Sequence, residues 1–270
     1  MPPVDIDATV IGNARLSHDY SVLSLAAPEV GRQTKPGQFV MVKPAGVTDP
    51  LLRRPFSVFE VLRDGGGGVT GVSILNKKAG RSTKKLYELE AGDVVSCLGP
   101  LGVPFAPVSA PTEGWLVAGG VGLAPFATLA ESLAAAGTPT TLFYGARTAD
   151  ELFYLEFFEK LGIRLVLSTE DGGRGVKGRV TAPLETALKA VGSAGAMVYA
   201  CGPEPMLAAV AKLAGRYNQP SQVSVERVMG CGLGGCYSCV VPVKHGDEHA
   251  NLVRSCISGP VFDGAELVWE

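Results

Sequence analysis

Histidine is scarce in this chain, three of 270 residues. His18, His245 and His249 form no pair at metal-ligand spacing and are expected at the surface. There is no Ser/His/Asp pattern for nucleophilic hydrolysis and no Walker loop. An excess of one charge is missing too: 24 Lys and Arg against 26 Asp and Glu leave a formal net charge of −2. Nothing in that balance points to nucleic acid. Six cysteines are too few for a disulfide scaffold at this length, which implies a reducing, cytoplasmic setting. A membrane span needs ~20 apolar residues. The longest apolar stretch, 115–130, falls short of that and is broken by three glycines and Pro125. The start, Met-Pro-Pro-Val-Asp-Ile-Asp, lacks a signal peptide's basic and apolar regions, so none is expected.

What is present divides the chain. Its length suggests two domains plus a small module, at 1–108, 109–224 and 225–270. Up to residue 107, short β-rich segments alternate with turn signals, at 8–16, 20–26, 38–43, 56–62, 70–75 and 93–97. Gly65 to Gly68 reads as a hairpin loop, and the first long helix is expected at 83–89. Short strands at this spacing predict an antiparallel barrel. A linker at 107–114 follows. Strands at 115–118, 141–144, 163–167 and 196–200 then alternate with helices at 123–136, 151–161, 183–190 and 204–216. That alternation predicts a doubly wound parallel sheet, so the fold class is β barrel plus α/β with a small C-terminal module.

Cys231, Cys236 and Cys239 stand in Cys-Gly-Leu-Gly-Gly-Cys-Tyr-Ser-Cys, followed by Cys256. This C-x4-C-x2-C…C spacing is the plant-type [2Fe–2S] ligand pattern, unlike the paired C-x2-C of most zinc sites. The glycines between them let the loop curl and aim amide N–H groups at sulfur.

The α/β region opens on Gly119-Gly120-Val121-Gly122. Such a strand-to-helix turn lets a diphosphate approach the backbone, or is simply a tight βα turn. Cys201-Gly202-Pro203 ends the fourth strand, where parallel sheets bind ligands. Cys201 there reads equally as a small buried hydrophobe. In the barrel, Arg54-Pro55-Phe56-Ser57 begins a strand, and the Arg54 guanidinium suits a phosphate. Standing alone, Arg54 would more often be a solvated arginine. Leu75-Asn76-Lys77 leads to Ser82 and Thr83. One of these would cap a helix whose free N–H groups suit a diphosphate, or which is an ordinary cap with a charged face.

Together these motifs resemble the ferredoxin–NADP reductase superfamily. Arg54-Pro55-Phe56-Ser57 looks like its R-x-x-S flavin motif. Gly119 to Gly122 and Cys201-Gly202-Pro203 look like its nicotinamide-domain signatures. With Cys231 to Cys256 and Ser258-Gly259-Pro260-Val261-Phe262 added, the chain is similar to the electron-transfer subunits of dihydroorotate dehydrogenase B. That resemblance implies FAD in the barrel, along Arg54, Pro55, Phe56 and Ser57. Leu75, Asn76 and Lys77 would line it, and Ser82 and Thr83 would meet its diphosphate. NAD would bind the α/β domain at Gly119, Gly120, Gly122, Cys201, Gly202 and Pro203. The [2Fe–2S] cluster would take Cys231, Cys236, Cys239 and Cys256. The family often has arginine at Lys77 and glycine at Ser82; both residues here would still allow a phosphate contact.

The implied partner is an FMN-containing dihydroorotate dehydrogenase catalytic subunit, assembled as a dimer of heterodimers. Nicotinamide moves electron pairs and the cluster single electrons, so flavin must stand between them. No acid–base residue is expected to dominate, because the cofactors carry the chemistry. Glu170 and Asp171, ending the third strand, favour NAD over NADP, although Arg174 and Lys177 follow closely. Other readings are a reductase subunit of a hydrogenase or of a ferredoxin:NADP⁺ oxidoreductase, an oxygenase reductase, and a zinc-stapled binding module.

Overall fold

Alternating apolar and polar residues build the N-terminal strands, and their apolar faces close on one another. The computed structural model describes residues 2–110, 112–191, 195–244, 246 and 249–269; His245, and Pro111 of the expected linker, lie outside the described residues. Strands β1 (Val4–Arg15), β2 (Tyr20–Ala26), β3 (Phe39–Pro44), β4 (Arg54–Arg63), β5 (Val69–Lys77) and β6 (Val94–Leu101) form a closed barrel. Its order is β1-β2-β5-β4-β3-β6, antiparallel throughout. Val10, Leu23, Leu25, Val40, Val42, Val58, Val72 and Ile74 fill it. The β4–β5 hairpin turns at the glycines as expected. Asp64 Oδ1 accepts from the N–H groups of Gly66 and Gly68, at 2.9 and 2.8 Å.

Two helices interrupt the barrel strands. Helix α1 (Pro28–Gln33) was not expected; six residues are too few for a helical period, and only Pro28 at its first turn marks it. Helix α2 (Arg81–Glu88) begins two residues before the expected start. Its N-cap is Gly80, not Ser82 or Thr83. Thr83 sits one turn in, its hydroxyl accepting from the N–H groups of Ala79 and Gly80, both at 2.9 Å. This is a capping box without a side chain at the cap.

The second region runs β7 (Glu113–Gly119), α3 (Phe126–Ala135), β8 (Thr140–Ala146), α4 (Leu155–Lys160), β9 (Arg164–Thr169), β10 (Val176–Lys177), α5 (Thr181–Lys189), β11 (Ala196–Cys201), α6 (Glu204–Arg216) and β12 (Ser221–Ser224). Helix α3 starts three residues later than expected. A 3₁₀ turn at Gly120–Leu123 comes first, and Pro125 caps the helix. Helix α4 starts four residues late, because Tyr154 takes a left-handed φ of 58° and breaks the pattern. The third segment holds β13 (Val240–Val243), β14 (Asn251–Arg254), α7 (Ser255–Ser258) and β15 (Val261–Asp263). Strand β15 returns to the large sheet, ordered β10-β9-β8-β7-β11-β12-β15, and pairs antiparallel with β12.

The sheet order reverses between β7 and β11, so their loops face each other across the crevice where such sheets bind ligands. Barrel residues Val22, Phe59, Leu75 and Phe105 share a core with Phe126, Leu129, Tyr144 and Tyr199 of the sheet domain. Tyr199 Oη accepts from Val108 N–H at 3.0 Å and donates to the Ala106 carbonyl at 2.9 Å, pinning the linker. Among the described residues no helix is long and apolar enough to cross a membrane.

At the rim of the seam Glu60 of β4 and Glu131 of α3 oppose each other. Burial holds both carboxyls above the usual range; like charge adds to the rise at Glu131, and Ser73 opposes it at Glu60. A raised folded pKa means the contribution is favourable below the unfolded value, ~4.3, and is lost as pH climbs through the folded one. Glu131→Gln is therefore expected to raise stability at pH 8 by less than about 1 kcal/mol, after allowing for screening. It should have almost no effect at pH 4. Thermal unfolding of both proteins at the two pH values checks this, and an equal difference at both refutes it.

Candidate functional site

The expected flavin residues lie on adjacent strands. Pairing in β3/β4 sets Pro55 opposite Met41 and Ser57 opposite Phe39. These pairs share one face of the barrel, and Arg54 and Phe56 with Val42 and Val40 share the other. Phe56 packs on the barrel core. On β5, Leu75 joins the inter-domain core, Asn76 is buried, and the Lys77 ammonium lies 5.0 Å above the Tyr20 ring. Ser82 is buried in the first turn of α2. The Thr83 hydroxyl also donates to the Gly80 carbonyl at 3.0 Å, so it is spent on the turn and leaves backbone N–H groups for any diphosphate.

The polar accounting fits an anionic, hydrogen-bonding group. Arg54 and Lys77 are half-buried, and among the described residues neither makes an ion pair. Tyr20 Oη, Ser21 Oγ and Asn76 Oδ1 are buried with no hydrogen-bond partner. Tyr20 shares one face of its ladder with Lys77 and Leu75, toward the sheet domain, while Ser21 and Asn76 share the other with Leu23 and Ile74 of the barrel core. Buried polar atoms are normally satisfied, so the unpartnered Tyr20 hydroxyl beside Lys77 marks a place for a ligand.

The two glycine loops of the crevice nearly touch. A Cβ on Gly122 would stand 2.1 Å from the Cys201 carbonyl oxygen. One on Gly202 would meet Met206 at 2.6 Å and the Gly119 nitrogen at 3.1 Å. Gly120 takes φ 55°, which favours glycine. Pro203 stands just before α6 and accepts from the N–H groups of Met206 and Leu207. Burial pushes the Cys201 thiol up to about 12, with Glu226 adding to the rise, so it is a neutral thiol there.

Sequence reasoning missed Glu226, and the rule that flagged Cys201 would have found it. It lies two residues past the carboxyl end of β12, the strand next to β11. Although the residue as a whole is open to solvent, desolvation holds its carboxyl above the usual range, opposed by Lys77. It lines a cavity of about 180 Å³ with Gly202, Glu204, Val225 and Trp269. Lys77 of the barrel and Cys201 of the sheet thus both lie within electrostatic range of Glu226.

The cysteines are brought together by the third segment. Cys236 lies beside Cys231, and Cys256 beside Cys239. The Leu233 N–H donates to Cys231 Sγ at 3.3 Å, and the Gly234 N–H points at Cys256. The Ser238 hydroxyl, 3.1 Å from Cys236 Sγ, and its N–H draw that thiol down to about 6. Burial pushes Cys256 up to about 12. Among the described residues no three His, Cys, Asp or Glu side chains converge as a single-ion site. Two pairs suit two irons better than one zinc, and the inward N–H groups suit a cluster carrying sulfide. Gly232, at φ 72°, presses on the barrel, its would-be Cβ 2.7 Å from Met41. Cys239 and Cys256 share a buried cluster with Phe39, Met41, Leu98 and Leu101. His18 and His249 are exposed, as expected.

A barrel with an arginine-led strand, a parallel sheet with facing glycine loops, and paired thiols packed on the barrel define an oxidoreductase using flavin, pyridine nucleotide and an iron–sulfur cluster. Residues 7–105 match the oxidoreductase FAD-binding domain family and 116–212 the oxidoreductase NAD-binding domain family. Residues 226–268 match the iron–sulfur cluster binding domain of dihydroorotate dehydrogenase B. The chain is 33% identical to the "Dihydroorotate dehydrogenase B (NAD(+)), electron transfer subunit" of Desulforamulus reducens, covering 98% of each chain. It is 39% identical to the same subunit of Geobacillus kaustophilus, covering 96% of this chain and 97% of that one. The chain belongs to the family of dihydroorotate dehydrogenase B electron transfer subunits. Among solved structures, the NADH-dependent reduced ferredoxin-NADP oxidoreductase superposes with a TM-score of 0.83 at 27% identity, covering 97% of this chain and 90% of that one.

Proposed function

We propose that this chain relays electrons between NAD and a partner dihydroorotate dehydrogenase catalytic subunit, in the oxidation of dihydroorotate to orotate. The observation that carries it is the packing of the cysteine loop on Met41, which stands opposite Pro55 in the expected flavin motif. When bound, flavin exchanges electron pairs with nicotinamide and single electrons with a cluster. The residues' task is placement. Arg54, Pro55, Phe56 and Ser57 with Leu75, Asn76 and Lys77 would hold FAD, and the first turn of α2, at Ser82 and Thr83, would meet its diphosphate. Gly119, Gly120, Gly122, Cys201, Gly202 and Pro203 would admit NAD, and Cys231, Cys236, Cys239 and Cys256 would hold [2Fe–2S].

The module also offers a docking surface. Val228, Leu233, Tyr237, Leu252 and Ile257 are large apolar residues exposed around it, a concentration that favours a protein partner. The partner in this reading carries FMN, and the assembly is a dimer of heterodimers. Six free thiols support a reducing, cytoplasmic setting. Domain boundaries fall near residues 108 and 224.

The test is purification of the tagged chain from its host, then assay of the complex. A co-purifying FMN-type subunit and NAD⁺ reduction that depends on dihydroorotate are expected. A ferredoxin-coupled or hydrogenase partner, with no dihydroorotate-dependent rate, would overturn the substrate and favour the reading raised by the ferredoxin-NADP oxidoreductase likeness.

A further inference from the structure

In dinucleotide-binding sheets the carboxyl ends of the strands that follow the first one read the ribose. An acid there takes the 2′-hydroxyl, and an arginine accommodates a 2′-phosphate. Counting β7 as the first, the second strand is β8, and the residue after it is Arg147. Taken alone, Arg147 would favour the phosphorylated nucleotide and contradict the acidic end of β9.

The surroundings of Arg147 remove the contradiction. Four residues on, Glu151 holds it: Nε donates to Oε2 at 3.2 Å, Nη2 donates to Oε1, and the Arg147 N–H reaches Oε2 at 3.4 Å. The Glu151 side chain is 16% exposed and that of Arg147 66%. The acid is therefore the embedded partner and the guanidinium the one that can move. The backbone ties the next strand to the same spot. Glu170 N–H donates to the Ala146 carbonyl at 3.1 Å, and Asp171 N–H to the Arg147 carbonyl at 3.2 Å. Asp171 is already engaged, because its Oδ1 accepts from Gly173 N–H at 2.9 Å within its own turn. Lys77 of the barrel lies within electrostatic range of Glu151, and the Tyr20 hydroxyl within range of Arg147.

We propose that Glu151 is a specificity-determining residue: by holding Arg147 in an ion pair it withholds an arginine placed to grip a 2′-phosphate, leaving Glu170 to select unphosphorylated ribose. This rests on reading the α/β domain as the pyridine-nucleotide site. Glu151 then cancels the Arg147 charge, Lys177 faces Asp171, and Glu170, in no ion pair among the described residues, is the carboxylate left beside them to repel a phosphate and tolerate a hydroxyl. Glutamine at 151 keeps the shape and releases a guanidinium suited to bidentate phosphate binding.

The probes are AMP and 2′-phospho-AMP, titrated calorimetrically into the cofactor-loaded full chain. Wild type is expected to prefer AMP. Glu151→Gln should tighten 2′-phospho-AMP about tenfold and leave AMP within about twofold. Adding Arg147→Ala to that variant should cancel the gain, and Arg147→Ala alone should change neither affinity. An unchanged preference in Glu151→Gln, or a gain that survives loss of Arg147, overturns the proposal. So does weaker 2′-phospho-AMP binding in the single Arg147→Ala protein, a result independent of whether the glutamine variant folds. If wild type binds neither AMP nor NAD⁺, the nucleotide-site reading itself fails, and the proposal with it.

Discussion

Serine at position 236 is expected to remove the visible iron–sulfur absorbance and most of the bound iron, with flavin content unchanged. Cys236 is exposed and is hydrogen-bonded to Ser238 and Cys231, so its replacement disturbs no buried packing. A [2Fe–2S] cluster of this type needs all four thiolates. The residues expected to hold flavin, by contrast, lie on β4, β5 and α2, away from Cys236 in the chain. Reduction of the flavin by NADH should therefore survive, while electron delivery to a partner falls by orders of magnitude. Anaerobic absorbance, iron analysis and acid-released flavin check each part. Unchanged iron would remove Cys236 from the ligand set.

Alanine at Gly122 is expected to be the most damaging single methyl in the chain's crevice. Its Cβ would lie 2.1 Å from the Cys201 carbonyl oxygen and 2.7 Å from the Gly202 Cα. Both neighbours are backbone, so no side chain can rotate aside. Either the β7 loop or the β11 loop must shift, at a cost of about 3 kcal/mol. The loops that move are those expected to admit the nucleotide, so affinity for NADH should fall together with stability. Gly120→Ala is the control: a Cβ there meets nothing within 4 Å, and only the φ of 55° is strained. Denaturant titrations and NADH binding on both variants decide the point. A Gly122→Ala protein as stable as Gly120→Ala would show that the loops are not in contact.

The architecture was legible because its signals are local. Alternation marked the barrel strands, Asp64 and the four glycines marked the β4–β5 turn, and strand–helix alternation marked the sheet. The cysteine loop was legible for the same reason, three of its thiols lying within nine residues. What stayed hidden depends on contacts distant in sequence. Nothing near Glu226 in sequence announces Lys77, and only the folded chain brings that ammonium within electrostatic range of it. The misplaced starts of α2, α3 and α4 have one common cause. Gly80, the 3₁₀ turn before Pro125 and the left-handed Tyr154 are backbone decisions that apolar periodicity does not record.

The return of β15 to the edge of the large sheet makes the cysteine segment an excursion and not an appendage. It leaves from β12 and is sewn back onto β12, while Val103 bridges Pro260 from the barrel side. A chain held at both hems cannot swing outward to meet a carrier. Its metal centre would travel with the barrel as a fixed stud, and a partner must come to it. Grafting the module onto another reductase would therefore require β12 and β15 as a matched set, since cutting after Cys256 leaves the sheet's outer seam open.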